Sequence, residues 1–304
     1  MSAGELVKRI EELKKTRNAV ILVHNYQRGE IQDIGDFAGD SLGLSQEAAR
    51  TDADVILFCG VHFMAETAKL LNPDKTVLMP DPNAGCPMAD MLTVRELTEM
   101  KKAHPGADVI CYVNSTAAVK AESDVCCTSA NAPKIMASVP EDREILFVPD
   151  KHLGRWSAEQ TGRKNVTLWG GYCPTHQRIR PEEIEARKAQ HPGAKVVVHP
   201  ECTEEAIALS DHVGSTSGIL KYCREAEGTE FIIGTEIGLL HRLRRENPDK
   251  RFFPVTELAD CPDMKLATLQ KLVWSLEDMI YEVTVPDDVA DRARRTIERM
   301  LELS

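Results

Sequence analysis

The sequence predicts an α/β protein built from three similar parallel-sheet units in a pseudo-threefold arrangement around a central cluster site. Three observations predict this fold class. Short apolar runs of strand length alternate with amphipathic segments along the 304 residues, which is typical of parallel sheets. Segments about 87 residues apart resemble each other, and a Cys-Pro pair recurs at the same interval. A repeat of this kind indicates copies of one structural unit.

The apolar runs and the segments between them define the predicted elements. Seven runs have the length and residue types of buried strands: AVILV, DVILF, TVLM, DVICYV, EILFV, KVVV and FIIG. Amphipathic segments such as TVRELTEMKKA and EEAIALS lie between them and predict helices. The N-terminal segment MSAGELVKRIEELKKTR predicts a charged amphipathic helix. It is not expected to be a signal peptide, because no apolar stretch follows its basic residues.

The repeat divides the chain into three units. The segment HPGADVICYVN at 104–114 returns as HPGAKVVVHPE at 191–201, which is 87 positions later. Cys86 and Cys173 are also 87 positions apart, and Cys261 follows 88 positions further on. We therefore expect three α/β units, at residues 1–86, 87–173 and 174–261, with the tail at 262–304 completing the first.

Other residues recur in the same register, so that equivalent positions of the three units form columns. The first column lies at predicted strand ends and contains His24, Tyr112 and His199. The residues two positions later are Tyr26, Asn114 and Glu201, and those 17 positions after the first column are Ser41, Ser129 and Thr216. An acidic column contains Asp36, Asp124 and Asp211. Agreement of several columns across three units favours a shared site on a common axis.

The strand-end and hydroxyl columns suggest a binding site for a small polyanion. Taken singly, a polar residue at a strand end is an ordinary loop residue, and a Ser or Thr before a helix is most often an N-cap. Three hydroxyls that precede helical segments can also form an anion site, through backbone N–H groups and helix dipoles. Since the columns contain no Lys or Arg, we expect helix starts, hydroxyls and protonated histidine to bind the anion.

The cysteine column indicates a metal site. Each of its cysteines precedes a proline, which favours an extended conformation of the Cys. Three converging thiolates leave one coordination position open, and two kinds of site satisfy this count. One is a [4Fe-4S] cluster whose fourth iron acts as a Lewis acid, and the other is a three-Cys zinc site with bound water. His176 is a weaker candidate for this site, because it follows Cys173 by three residues. Cys126 and Cys127 could lie near the site, because they precede Ser129.

Composition and missing motifs exclude several classes of function. The net charge of −11 argues against nucleic acid as a partner, since phosphate backbones bind a concentrated basic face. No apolar run approaches the roughly 20 residues that cross a bilayer, so we expect no membrane contact and a cytoplasmic location. Nine cysteines in a reducing compartment are not expected to form disulfides. P-loop, dinucleotide-binding and nucleophile-elbow motifs are absent, which disfavours nucleotide enzymes and serine hydrolases.

Motifs in these columns resemble the quinolinate synthase family. They are VHNYQ at 23–27, GDSLGLS at 39–45, CYVNS at 111–115, HPE at 199–201, GSTSG at 214–218 and the three Cys-Pro pairs. The resemblance extends from about residue 18 to about residue 280. It implies that Cys86, Cys173 and Cys261 hold a [4Fe-4S] cluster with one non-cysteine iron. It also implies a substrate pocket lined by His24, Ser41, Tyr112, Val113, Asn114, Ser129, His199, Pro200, Glu201 and Thr216.

The resemblance also implies a reaction. The family condenses iminoaspartate with dihydroxyacetone phosphate to quinolinate, phosphate and water on the route to NAD, and the open iron would serve the dehydration. We expect Glu201 to be the principal acid/base, with Tyr26 and His24 transferring protons on the triose. The expected partners are the two small substrates and, transiently, the enzyme that produces iminoaspartate. Two other interpretations stay open: a non-catalytic iron–sulfur sensor for a small polyanion, and a three-Cys zinc hydrolase or lyase.

Overall fold

The computed structural model describes all of residues 1–304 and contains three four-stranded parallel sheets. The first sheet contains β1 (Ala19–His24), β2 (Phe37–Gly39), β3 (Val55–Cys59) and β4 (Thr76–Leu78). The second contains β5 (Asp108–Tyr112), β6 (Val125–Cys127), β7 (Ile145–Val148) and β8 (Val166–Leu168). The third contains β9 (Lys195–Val198), β10 (His212–Val213), β11 (Glu230–Gly234) and β12 (Arg251–Pro254). The strand orders β2-β1-β3-β4, β6-β5-β7-β8 and β10-β9-β11-β12 are equivalent, which confirms the predicted fold class.

Fourteen α-helices connect and cover the strands. Those of the first unit are α1 (Ala3–Arg17), α2 (Gly29–Ile34), α3 (Ser41–Arg50) and α4 (His62–Leu71). Next come α5 (Val94–Ala103), α6 (Ala117–Ala121), α7 (Ala132–Ser138) and α8 (Lys151–Thr161), followed by α9 (Pro181–Gln190), α10 (Glu204–Ala208), α11 (Thr216–Glu225) and α12 (Leu239–Glu246). The tail adds α13 (Leu269–Asp278) and α14 (Asp287–Glu302). None of these helices combines the length and apolar character needed to cross a membrane.

All seven predicted apolar runs form strands, and the inner strands among them are almost completely buried. Five further strands, β2, β6, β8, β10 and β12, lie at sheet edges and have two to four residues each. The predicted N-terminal helix is α1, which begins with a capping box between Ser2 and Glu5. Such a box satisfies free backbone N–H groups at a helix start.

The acidic column has one structural role in all three units. In each unit the aspartate precedes an edge strand, and its carboxylate accepts a backbone N–H from the inner strand beside it. The three pairs are Ile21 with Asp36 (2.8 Å), Val109 with Asp124 (2.7 Å) and Val196 with Asp211 (2.8 Å). The repeat is therefore reproduced at the level of single hydrogen bonds, and this column joins strands rather than forming part of a site.

The C-terminal tail returns to the first half of the chain. The helix α13 packs against α1 and β3 of the first sheet, and α14 packs against α4, α6 and β6. Buried residues of all three sheets also share one large hydrophobic cluster, which includes Leu22, Val109 and Phe231. The division at residues 86, 173 and 261 stays a prediction, because the units are packed into one body.

Candidate active site

The carboxyl ends of the inner strands of all three sheets face one cavity of about 150 Å³. Most of the predicted site residues line this cavity. They are His24, Tyr26, Ser41, Tyr112, Asn114, Ser129, His199, Glu201, Thr216, Cys86, Cys173 and Cys261. Residues far apart in sequence meet here because parallel strands of equivalent units end on the same side.

Two of the predicted pocket residues do not line the cavity. Val113 is 1% exposed and belongs to the hydrophobic core, and its backbone N–H donates to the carbonyl of Cys127 at 2.9 Å. Pro200 is buried and is the second residue after β9. The structure therefore places both next to pocket residues, with their side chains outside the cavity wall.

The three Cys-Pro cysteines have equivalent local structure. Each is followed by a short 3₁₀ turn, at Ala89–Met91, His176–Arg178 and Asp263–Lys265. None of the nine cysteines forms a disulfide. Burial raises the pKa of all three thiols, that of Cys86 to about 12, while the backbone N–H groups of Ala89, His176 and Met264 oppose the rise. Backbone donors three positions after each Cys suit a thiolate that ligates a metal.

The three thiols line one cavity, but their sulfur atoms are not all within 4.8 Å of one another. One set of three potential ligands has its donor atoms within 4.8 Å of one another, and it consists of Cys173, His176 and Glu201. Cys86, Cys173 and Cys261 do not form such a set. The cavity wall therefore offers two candidate metal sites, a wide one between the three cysteines and a narrow one at Cys173, His176 and Glu201.

Glu201 is the best-connected acid of the cavity. Its Oε2 lies 2.7 Å from Nδ1 of His176, and its Oε1 accepts from the amide of Asn114 at 3.4 Å. Burial raises the pKa of Glu201, but the imidazole of His176, with smaller contributions from the imidazole of His199 and a hydrogen bond from Tyr112, outweighs burial and lowers it to about 2. The group is therefore a carboxylate at neutral pH, and it faces the cavity as a base.

A chain of hydrogen bonds runs from Glu201 to Tyr26. His176 lies between Glu201 and Thr235, with Nε2 of His176 2.9 Å from Oγ1 of Thr235. Oγ1 of Thr235 lies 2.6 Å from the hydroxyl of Tyr26. Burial and the charge of Glu201 raise the pKa of Tyr26 well above its usual value, so that its phenol keeps the proton. His176 is also 3.1 Å from Sγ of Cys173.

Two histidines of the first column are neutral donors rather than cations. Burial lowers the pKa of His24 to about 3, with the charge of Lys265 acting in the same direction. Burial also lowers the pKa of His199 to about 3. Nδ1 of His24 accepts the N–H of Tyr26 at 3.2 Å, and Nδ1 of His199 accepts the N–H of Glu201 at 3.3 Å. The expectation of protonated histidine is therefore corrected, because desolvation outweighs nearby negative charge in the cavity.

The hydroxyl column lies beside helix starts without capping them. Asp40 and Ser215 are the N-caps of α3 and α11, and the Ser215 hydroxyl donates to Asp40 at 3.2 Å. Ser41 and Thr216 are the first residues of those helices, and their hydroxyls face the cavity. Ser129 lies before α7, which begins at Ala132, and its hydroxyl is 3.2 Å from Nε2 of His199. The N-cap interpretation of this column is therefore wrong.

Sequence reasoning missed two buried acids, Asp150 and Glu236. Each is the second residue after an inner strand of its sheet, so they form a column in the second and third units. Glu236 lines the cavity, pairs with Lys265 at 2.8 Å and accepts the backbone N–H of Cys261 at 3.2 Å. The corresponding residue of the first unit is the apolar Val61, so the acid does not recur in all three units and the repeat does not reveal it. Arg178, a lining residue whose side chain is exposed, was also missed.

Comparison with known proteins identifies close relatives over almost the whole chain. The family model described as Quinolinate synthetase A protein matches residues 8–302. A quinolinate synthase of Dehalococcoides mccartyi (strain CBDB1) is 57% identical over 293 residues, which is 96% of each chain. A quinolinate synthase of Thermodesulfovibrio yellowstonii is 54% identical over 297 residues, 98% of each chain. Quinolinate synthase 1 of Methanosarcina acetivorans is 52% identical over 301 residues, 99% of this chain and 98% of the relative.

Proposed function

This chain belongs to the quinolinate synthase family, and on that premise we propose that its cavity condenses iminoaspartate with dihydroxyacetone phosphate to quinolinate, phosphate and water. The observation that carries the proposal is the meeting of three Cys-Pro thiols and the strand-end groups of three units at one cavity. The family is one of enzymes that act on small molecules, and its members use a metal cofactor.

The residues of the cavity fit a [4Fe-4S] cluster better than a single zinc ion bound by the three cysteines. Zinc–sulfur bonds of about 2.3 Å in a tetrahedral site place the sulfurs about 3.8 Å apart. Cys86, Cys173 and Cys261 do not approach one another within 4.8 Å as a set. A cluster of four irons spans a wider gap between its ligands, and three Cys ligands leave one iron open. When bound, such a cluster supplies a Lewis acid for the loss of a hydroxyl group.

The acid and base groups of the cavity have suitable states for proton transfer. Glu201 is an ionised carboxylate that lines the cavity, and it is the proposed principal acid/base. Tyr26 keeps its proton and is the proposed donor to the triose. His24 is neutral and accepts the backbone N–H of Tyr26 on Nδ1. Its Nε2–H is therefore the group that can donate to a substrate oxygen.

Binding of two anionic substrates is proposed to rest on helix starts and hydroxyls. The α3 and α11 helices begin at the cavity with Ser41 and Thr216, and helix N-termini favour anions. The amide of Asn25 donates to Oγ1 of Thr216 at 2.8 Å, which leaves the Thr216 hydroxyl proton free for a carboxylate. Tyr112, Asn114, Ser129 and His199 complete the proposed pocket on the side of the second and third units.

The surroundings of the enzyme are also part of the proposal. Nine unpaired cysteines suit a reducing compartment, and we propose that the enzyme acts in the cytoplasm. A transient contact with the enzyme that produces iminoaspartate is expected, because an imine hydrolyses readily in water.

The test is an anaerobic assay for quinolinate from iminoaspartate and dihydroxyacetone phosphate, with iron, sulfide and zinc measured on the same sample. The proposal expects turnover, brown protein with bound iron and sulfide, and bleaching in air. Colourless, zinc-loaded protein that stays active in air would contradict the cluster and favour the narrow site of Cys173, His176 and Glu201. Bound cluster with substrate binding and no turnover would instead favour a sensor.

A further inference from the structure

Glu236 and Lys265 form a buried ion pair beside the cavity. Glu236 is the second residue after β11 and is 0% exposed, and the side chain of Lys265 is 13% exposed. Oε1 of Glu236 lies 2.8 Å from Nζ of Lys265. A buried pair of opposite charges contributes little net stability, because the loss of hydration offsets the attraction between the charges. Stability alone therefore does not account for this pair.

The carboxylate of Glu236 binds the loop that carries Cys261. Its Oε1 also accepts the backbone N–H of Cys261 at 3.2 Å, and its Oε2 accepts the backbone N–H of Gly238 at 2.8 Å. Lys265 belongs to the 3₁₀ turn that follows Cys261, at Asp263–Lys265. One side chain therefore contacts the Cys261 loop at two points, the N–H of the cysteine and the ammonium group of Lys265.

Lys265 joins the same loop to the segment after β1. Its ammonium group donates to the backbone carbonyl of Tyr26, and its own carbonyl accepts from Nε of Arg28 at 3.0 Å. Gly238 also lies close to this segment, since a Cβ added there would be 2.5 Å from the carbonyl oxygen of Tyr26. The ion pair thus lies where the Cys261 loop, the end of β11 and the Tyr26 segment meet.

The pair occurs in only one of the three equivalent places of the repeat. The equivalent positions hold Val61 and Asp150 for the acid, and Asp90 and Gln177 for the base. The other two units fold without such a pair, so the shared architecture does not require it. The loop that has the pair is the one bound to the carbonyl of Tyr26.

We infer that Glu236 and Lys265 are positioning residues of the reaction, which fix the Cys261 loop and the Tyr26 segment relative to each other. The inference rests on the proposed function, because it takes Cys261 as a cluster ligand and Tyr26 as a proton donor. Glu236 acts through the backbone of Cys261, and Lys265 acts through the backbone of Tyr26. Neither side chain has to contact a substrate atom in this role.

The test uses the single variants Glu236→Gln and Lys265→Met and the double variant that combines them. Each single variant leaves one charge buried without its partner, so we expect a lower Tm. The double variant leaves no unpaired charge and should recover most of the Tm. It still lacks both connections, so we expect its cluster to release iron to a chelator about 10- to 100-fold faster than the unchanged holoenzyme, the range for outer partners of metal ligands. Its kcat should fall by a similar factor.

Asp36→Asn is the matched control. Asp36 also pairs with a lysine, Lys14 at 2.6 Å, and accepts a backbone N–H, that of Ile21 at 2.8 Å. None of these three residues lines the cavity. We therefore expect this variant to lower the Tm and to leave iron release and kcat unchanged.

Glu236→Asp is a milder variant for the same measurement. It keeps both charges, so it leaves no unpaired charge, but its shorter side chain no longer spans the N–H groups of Cys261 and Gly238. We expect this variant to fold and to release iron faster than the unchanged enzyme. If the double variant does not fold, Glu236→Asp decides the inference alone.

The outcomes separate this inference from the proposed function. Unchanged protein that binds iron and sulfide but forms no quinolinate would refute the function, while iron release from the variants would still decide the inference. Unchanged protein without a cluster would refute both. Iron release at the unchanged rate in the double variant and in Glu236→Asp would overturn the inference. Equally fast release from Asp36→Asn would assign the effect to general stability and also overturn it.

Discussion

At the scale of single residues, Glu201 shows how the cavity holds a buried charge. Removal from water alone would raise the pKa of its carboxyl group. His176 at 2.7 Å, the nearby His199 and the phenol of Tyr112 reverse this effect and lower the pKa to about 2. The neutral His24 shows the opposite balance, since desolvation decides its state. Adjacent residues of one pocket are therefore kept in different protonation states by their immediate partners.

The first prediction concerns Glu201→Gln. Glutamine keeps an oxygen that can accept from His176 but cannot take up a proton at neutral pH. We expect quinolinate formation to fall at least about 100-fold, the lower range for loss of a general base, while cluster absorbance stays unchanged. The measurement is the anaerobic assay combined with a visible spectrum. Undiminished turnover would remove Glu201 from the acid/base role.

The second prediction concerns the effect of pH on stability. The pKa values of His24 and His199 are lowered to about 3 in the folded protein, against about 6.5 for histidine in an unfolded chain. Between these values the unfolded chain binds more protons, so its formation is favoured as the pH falls. We expect the free energy of unfolding in urea to decrease from pH 7 to pH 5, and to decrease less in His24→Gln. An equal slope in both proteins would contradict the neutral state of His24.

At the scale of elements, the predictable part of the fold is the part with a strong local pattern. The inner strands are continuous apolar runs because both faces of each sheet are covered, and sequence alone identified them. The edge strand β10 has two residues, His212–Val213, and forms through pairing with β9 rather than through any pattern of its own. The site residues show the same dependence on pattern. Residues that recur in all three units could be identified from the sequence. Thr235, Glu236 and Lys265 have no equivalents in the first unit and could not be identified in this way.

The third prediction concerns the acidic column that joins edge and inner strands. Asp124 accepts the N–H of Val109 at 2.7 Å, which ties β5 to the segment that enters β6. We expect Asp124→Ala to lower the free energy of unfolding by about 1 kcal/mol, the usual contribution of one hydrogen bond, without changing kcat. Asp124→Asn keeps an acceptor oxygen and should lose less. Urea denaturation of both variants checks this, and equal stability of Asp124→Ala and the unchanged protein would refute it.

At the scale of the whole molecule, the C-terminal tail returns from the third cysteine to the first sheet. The helix α13 follows Cys261 by eight positions, as α5 follows Cys86 and α9 follows Cys173. The α9 helix packs on β11 of its own sheet, and α13 packs on the equivalent strand β3 of the first sheet. The helix after the third cysteine thus packs on the first sheet in the same way as α9 packs on the third sheet. All three Cys-Pro loops line one cavity.

The last prediction concerns the three Cys-Pro loops that line the cavity. If the three loops hold one cluster, Cys86→Ala, Cys173→Ala and Cys261→Ala should each lose bound iron, sulfide and quinolinate formation, although the cysteines belong to different units. Cys223→Ala is the matched control, since Cys223 is a buried cysteine of α11 that does not line the cavity. It should keep iron content and activity and lose only the small stability of one buried thiol. Full iron and activity in any one of the three loop variants would exclude that cysteine from the site and break the threefold argument.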